Sequence, residues 1–225
     1  MKPNRTIAVS GGVLLVASAA LAGSLTNGAA NASASARAHG HHAHHAHHGT
    51  HTHAKLNSLN NSGGFGRASV RVNRRHLTIT VNAYGLTKGQ PHAQHIHFGA
   101  EARHECPTSA DNTNRDFRLS TTEGAPAYGP IVLSLTTRGD TSPDSALAVT
   151  RFPTAPKGTE HYHRTTHVSK AVARAIKQGK AVVVIHGVDY NHNGRYDFGG
   201  AGASDLDPSL PAEATDPAIC GVLHR

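Results

Sequence analysis

From Phe65 onward, apolar and polar residues alternate along much of the chain. Ala68, Val70 and Val72 are separated by polar residues, and Leu77, Ile79, Val81 and Ala83 alternate with Thr78, Thr80 and Asn82. A period of two marks strands with one buried face. Residues 73–75, between the two runs, suit a hairpin turn. Residues 94–98, 131–135, 146–150 and 219–223 are further strand candidates. The continuous apolar run KAVVVIH at 180–186 suits a central strand. Ser169 predicts the cap of one short helix over 170–178, with Gly179 as its stop. Many short strands with Gly/Pro turns predict an all-β, antiparallel sandwich or barrel.

The amino-terminal part follows other rules. Lys2 and Arg5 precede an apolar, small-residue run from Ile7 to Leu25, and Ala-Ser-Ala occurs at 32–34 and again at 34–36. This is the tripartite pattern of a secretory signal peptide over residues 1–36. Glycines and serines dilute the run, so no stable membrane insertion is expected after cleavage. Export places the chain outside the cell or in the envelope, where a disulfide is allowed. Residues 39–53 read HGHHAHHAHHGTHTH and hold nine of the 20 histidines. With no large apolar residue, this segment reads as a disordered tail. Its imidazole density suits Zn, Cu or Ni. NSLNNSGG at 57–64 reads as a linker, so residues 37–63 form tail and linker and residues 64–225 the domain.

Composition narrows the classes. Aromatics are 4% of 225 residues and Trp is absent. Charge and composition exclude a coiled coil, a multispan membrane protein and a collagen-like chain. The net charge of +8 arises because residues 1–100 contain no Asp or Glu. Arg67, Arg71, Arg74 and Arg75 read as a solvated strand edge and turn. Without aromatics to stack on bases, and without a recognisable reading module, no nucleic-acid partner is expected.

His95-Ile96-His97 is the sharpest chemical feature. On a strand, residues i and i+2 project to one face, so the two imidazoles can share an ion. His92 lies three residues earlier, and His186 ends the VVVI strand. Imidazole-only sites suit Cu or Zn. Two cysteines in an exported chain suggest one disulfide, Cys106 with Cys220, against the alternative of two buried thiols. His161, His163 and His167 form a second cluster, a separate metal site or a polar loop. If Tyr162 faces inward, His161 and His163 share the outer face. Asp189, Asn191, Asn193 and Asp197 follow the D-x-N-x-N-G spacing of a calcium loop. Gly200 sits where the twelfth-position carboxylate belongs, and Asp205 or Asp207 is the candidate to supply it. No G-x-S-x-G, H-E-x-x-H or P-loop occurs.

HAQHIHFG at 92–99, then Cys106, VVVIHG at 182–187 and ICGV at 219–222 resemble, in that order, the copper/zinc superoxide dismutase pattern. They are also similar to the CHRD (chordin-type) domain, with its AHIH and later VNVH strands. The resemblance spans about residues 57–223 and implies an antiparallel Greek-key β-sandwich. It implies copper at His95, His97 and His186, with His92 or His104 as a fourth ligand, and a Cys106–Cys220 disulfide. Two departures set the functional expectation. No His occurs between Cys106 and Glu160, where the enzymes place their zinc ligands, and Pro217 stands where they carry a guiding Arg. The expected protein is therefore secreted and binds copper through His, without efficient catalysis. The alternatives are a copper-only superoxide dismutase, with Arg103 or Arg164 as substitute guide, and a cell-surface structural domain with a vestigial site. No protein partner is identified.

Overall fold

The computed structural model describes residues 49–225. The signal peptide and the tail up to His48 lie outside the described residues. Eight strands form one antiparallel sheet: β1 (Thr50–Ser58), β2 (Phe65–Asn73), β3 (His76–Tyr84), β4 (Gln94–His97), β5 (Ile131–Ser134), β6 (Thr159–His167), β7 (Val182–His186) and β8 (Pro217–Val222). Their spatial order is β5-β4-β7-β8-β1-β2-β3-β6. β1 joins the two halves. Its first seven residues pair with β2, and Asn57 and Ser58 pair with Cys220 and Ile219 of β8. The sheet curls so that residues from both halves enclose one core, Val70, Ile79 and Val81 from one and Ile96, Val183, Ile185 and Ile219 from the other. The all-β antiparallel class is thus observed, as one continuous curled sheet with edges at β5 and β6.

β1 corrects the reading of residues 50–58 as tail and linker. Thr52, Ala54 and Leu56 are buried and alternate with exposed His51, His53 and Lys55. That is the same period-two signal, masked by the His-rich composition around it. Arg67 and Arg71 do not sit on an edge either, because β2 is flanked on both sides, by β1 and β3. Residues 146–150 are not a strand. They lie between and within two 3₁₀ turns, Pro143–Ser145 and Val149–Arg151.

Instead of one short helix there are four among the described residues: α1 (Thr121–Tyr128), α2 (Lys170–Lys177), α3 (Phe198–Ala201) and α4 (Ala212–Thr215). α2 starts at the Ser169 cap as the sequence predicts, with the Ser169 hydroxyl accepting from Val172 N–H. α1 is signalled by Ser120 and Glu123, which form a reciprocal capping box. Gly124 and Pro126 lower the helix propensity of that stretch, and so it escapes a periodicity reading.

The outer face of the second half matters most here. On β7, Val183 and Ile185 point into the core, which leaves Val182, Val184 and His186 on the other side. His95 and His97 lie on that same side of β4, since Ile96 enters the core. Tyr128 of α1 and Cys220 pack there with Val182 and Val184 as a smaller apolar cluster.

Candidate metal centre

Pairing of β4 with β7 sets His95 opposite Val184 and Gln94 opposite Ile185, which brings the end of β7 alongside the HIH strand. Each of the three histidines offers one ring nitrogen, and these nitrogens lie within 4.8 Å of one another. The rings are 5.2 Å apart for His95–His186, 5.7 Å for His95–His97 and 6.3 Å for His97–His186, centroid to centroid. They are only 3%, 2% and 3% exposed. Phe152 covers the His95 ring at 5.3 Å and Tyr128 the His97 ring at 4.5 Å.

Carbonyl oxygens fix the tautomers. His95 Nε2–H donates to Ala146 O (3.1 Å), His97 Nδ1–H to Gly129 O (2.8 Å) and His186 Nδ1–H to Thr215 O (2.6 Å). A carbonyl only accepts, so these nitrogens carry the protons. The other nitrogens, His95 Nδ1, His97 Nε2 and His186 Nε2, are buried and make no hydrogen bond. Three buried lone pairs are therefore left without a partner among the described residues. Orienting a ligating imidazole through its second nitrogen is a recurrent feature of metal sites.

Burial also keeps the rings neutral. Desolvation, then the neighbouring His186 and His97, holds His95 well below the usual imidazole range. Desolvation, then His186, lowers His97 to about 3, and desolvation lowers His186 to about 4. A neutral imidazole is the form that binds a metal.

Two glycines make room. Gly129, at φ 86°, places the carbonyl that His97 uses. Gly187, at φ 112°, turns the chain sharply after His186, and a Cβ there would collide with Tyr196 Oη and meet His92 Nδ1 at 2.9 Å.

His92 stands outside the group. Its ring is buried, with Nδ1 2.9 Å from His186 O and Nε2 3.1 Å from Thr87 O. It braces the end of β7 instead of adding a fourth nitrogen. His104 turns its Nε2 to Gly99 O and stacks on Phe98. The two candidate guiding cations are engaged elsewhere, Arg103 by Glu105 and Asp111, Arg164 by Thr136 and Gly139.

Cys106 and Cys220 are bonded, at a sequence separation of 114. Cys220 lies opposite Val184 on β8, so the bond ties the loop after the HIH strand to the sheet beneath the centre. A disulfide suits a non-reducing environment. Among the described residues no helix is long and apolar enough to cross a membrane.

The Asp189–Asp197 segment is a loop closed on itself. Asp189 accepts from the amides of Asn193 and Gly194, and Asn191 Oδ1 accepts from Asn193 N–H. Asp197 accepts from the Asn191 and Asn193 side chains and from Arg195. The carboxylate packed against the loop is neither Asp205 nor Asp207 but Glu213 of α4. It is fully buried and accepts from the amides of Tyr190, Asn191 and Asp197. Asp205 accepts from Thr122 N–H and Asp207 from Ser209. Nothing local in the sequence marks Glu213, because its role depends on α4 packing under the loop.

Tyr162 does face inward on β6, with His161 and His163 on the outer face. His161 Nδ1 pairs with Asn82 Oδ1 at 2.7 Å and His163 Nδ1 with Thr80 Oγ1 at 3.1 Å. No family model matches the chain, and no curated protein matches it.

Proposed function

We propose that this is a secreted, disulfide-bonded β-protein of the superoxide dismutase-like/CHRD type that holds a copper ion at His95, His97 and His186 and is not an efficient enzyme. One observation carries the reading: three buried imidazoles whose protonated nitrogens are tied to backbone carbonyls and whose bare nitrogens converge. A buried polar atom without a partner costs about 1–3 kcal/mol. Three in one place are relieved together by one ion. Bonds of about 2.0–2.1 Å to imidazole set ligand nitrogens roughly 3–4 Å apart, so a contraction of about 1–2 Å at most gathers these three, which lie within 4.8 Å of one another. Three neutral nitrogens without a carboxylate or thiolate suit copper or zinc, not calcium or magnesium.

Copper, when bound, supplies a one-electron redox couple. The chain's own residues hold the three rings, fix their tautomers and exclude water with Tyr128 and Phe152. Fast turnover of a small anion needs an open face and a nearby cation. Rings at 2–3% exposure, with Arg103 and Arg164 paired elsewhere, favour retention of the ion over turnover. The histidines of residues 39–48 gather copper or zinc for the centre.

The test is metal analysis of protein purified without an affinity column, followed by copper titration of wild type, His95→Ala and His97→Ala. Each variant is expected to lose one tightly held equivalent while keeping the looser ions of the tail. Unchanged tight copper in both variants overturns the centre. Superoxide decay near the diffusion limit in the loaded wild type, absent in His95→Ala, replaces the non-catalytic reading with a copper-only dismutase. A cell-surface scaffold with a vestigial site remains if His97→Ala changes neither metal content nor melting temperature.

A further inference from the structure

The outer face of the β1-β2-β3-β6 half is rich in imidazole. His51 and His53 on β1, His76 on β3 and His161, His163 and His167 on β6 are all exposed on it. The register separates one pair from the rest. His161 lies opposite Asn82 and His163 opposite Thr80, and each is hydrogen-bonded to that neighbour. His51 lies opposite Arg71 and His53 opposite Ser69. His53 is bridged to His224, and His76 lies opposite His167 in the β3–β6 ladder; it is the rings of His76 and His167 that meet. Their ring centroids are 3.6 Å apart with planes inclined at 54°. Neither ring makes a hydrogen bond or ion pair to any described residue. Asn73 of β2 continues the same cross-strand row.

We propose that His76 and His167 form a second, exposed and exchangeable site for a divalent transition metal. Imidazoles bound cis to one ion at about 2.0–2.1 Å have ring centroids roughly 4.5–5 Å apart, so these two exposed rings reach a common ion by swinging apart by about 1 Å. The strand residues of this outer face include no carboxylate. The donor set is therefore imidazole and water, which selects Cu, Ni or Zn over hard cations. A bound ion would clip edge strand β6 to β3 just before α2. Unlike the buried centre, this site opens to solvent and exchanges freely. It is independent of the reading of His95, His97 and His186.

Nickel is the probe, used on the full chain. Residues 76 and 167 meet only in the folded state, so the ion must raise the folding equilibrium constant, by about tenfold at free nickel ten times its dissociation constant. His76→Ala and His167→Ala are exposed substitutions expected to fold and to lose that gain. His161→Ala and His95→Ala are expected to retain it. Crystals soaked in nickel should show an anomalous peak between the two rings. An equal nickel gain in wild type and His167→Ala, or a peak bound to one ring alone, overturns the proposal. Loss of the buried centre in His95→Ala leaves the surface site untouched, so the two failures are distinguishable.

Discussion

Glu160 is the residue whose replacement should stabilise the fold most. It lies on β6 opposite Ala83 and points into the core, 1% exposed. Neither carboxylate oxygen makes a hydrogen bond, and Gln94 Oε1 is likewise unpartnered. Desolvation pushes the acid up from 4.5 to about 8, with the nearby Gln94 side chain acting in the opposite direction. The unfolded chain therefore loses the proton near pH 4.5, whereas the folded one keeps it to about pH 8. Between those limits the folded state binds more protons, so stability falls as pH rises. At 1.36 kcal/mol per pH unit, the cost is about 3 kcal/mol at pH 7 and roughly 4 kcal/mol at pH 8, where the folded group begins to ionise. Glu160→Gln removes the titration, keeps the shape and offers an N–H to Gln94 Oε1. Urea denaturation followed by circular dichroism at pH 5, 6, 7 and 8 should show the variant gaining over wild type by a margin that grows with pH. The denaturant slope should not change. A margin independent of pH, or one that shrinks toward pH 8, refutes the argument, because it would mean that the carboxylate is hydrated or paired in the folded protein.

Other outcomes follow from the same physics. Folded-state values of about 4 for His186 and about 3 for His97, both below 6.5, mean that metal-free protein keeps full stability above pH 6.5 and loses it as pH falls. Each ring costs about 2 kcal/mol at pH 5, and His97→Gln should flatten the acid limb of a denaturation series. Reducing Cys106–Cys220 opens a loop closed across a sequence separation of 114. It should cost about 5 kcal/mol in the chain-entropy model, read as a fall in the urea midpoint with and without reductant. Gly187→Ala forces a Cβ against Tyr196 and His92 at positive φ. It should destabilise by roughly 2–3 kcal/mol and weaken copper retention, measured by competition with a chelator.

The short-range order of this protein is written in its sequence. Alternation at 68–72 and 77–83, the shared face of His95 and His97, the buried 182–186 strand and the Ser169 cap each depend on residues a few positions apart. Even β1 and α1 carried local signals, the Thr52-Ala54-Leu56 alternation and the Ser120/Glu123 box, hidden by unusual composition. The convergence of His186 with the HIH pair was suggested by motif order, but only β4–β7 pairing creates it. Which nitrogen stays bare was decided by carbonyls of Gly129, Ala146 and Thr215, which arrive from the ends of three separate helical segments, α1, the Pro143–Ser145 turn and α4. His92 was assigned to the centre by its nearness in sequence and excluded by the carbonyls around it. Glu213 and the His76–His167 pair follow the same rule. Periodicity reports on a residue's own strand or helix, whereas the direction of a lone pair and the desolvation of a ring depend on what the rest of the chain folds over them.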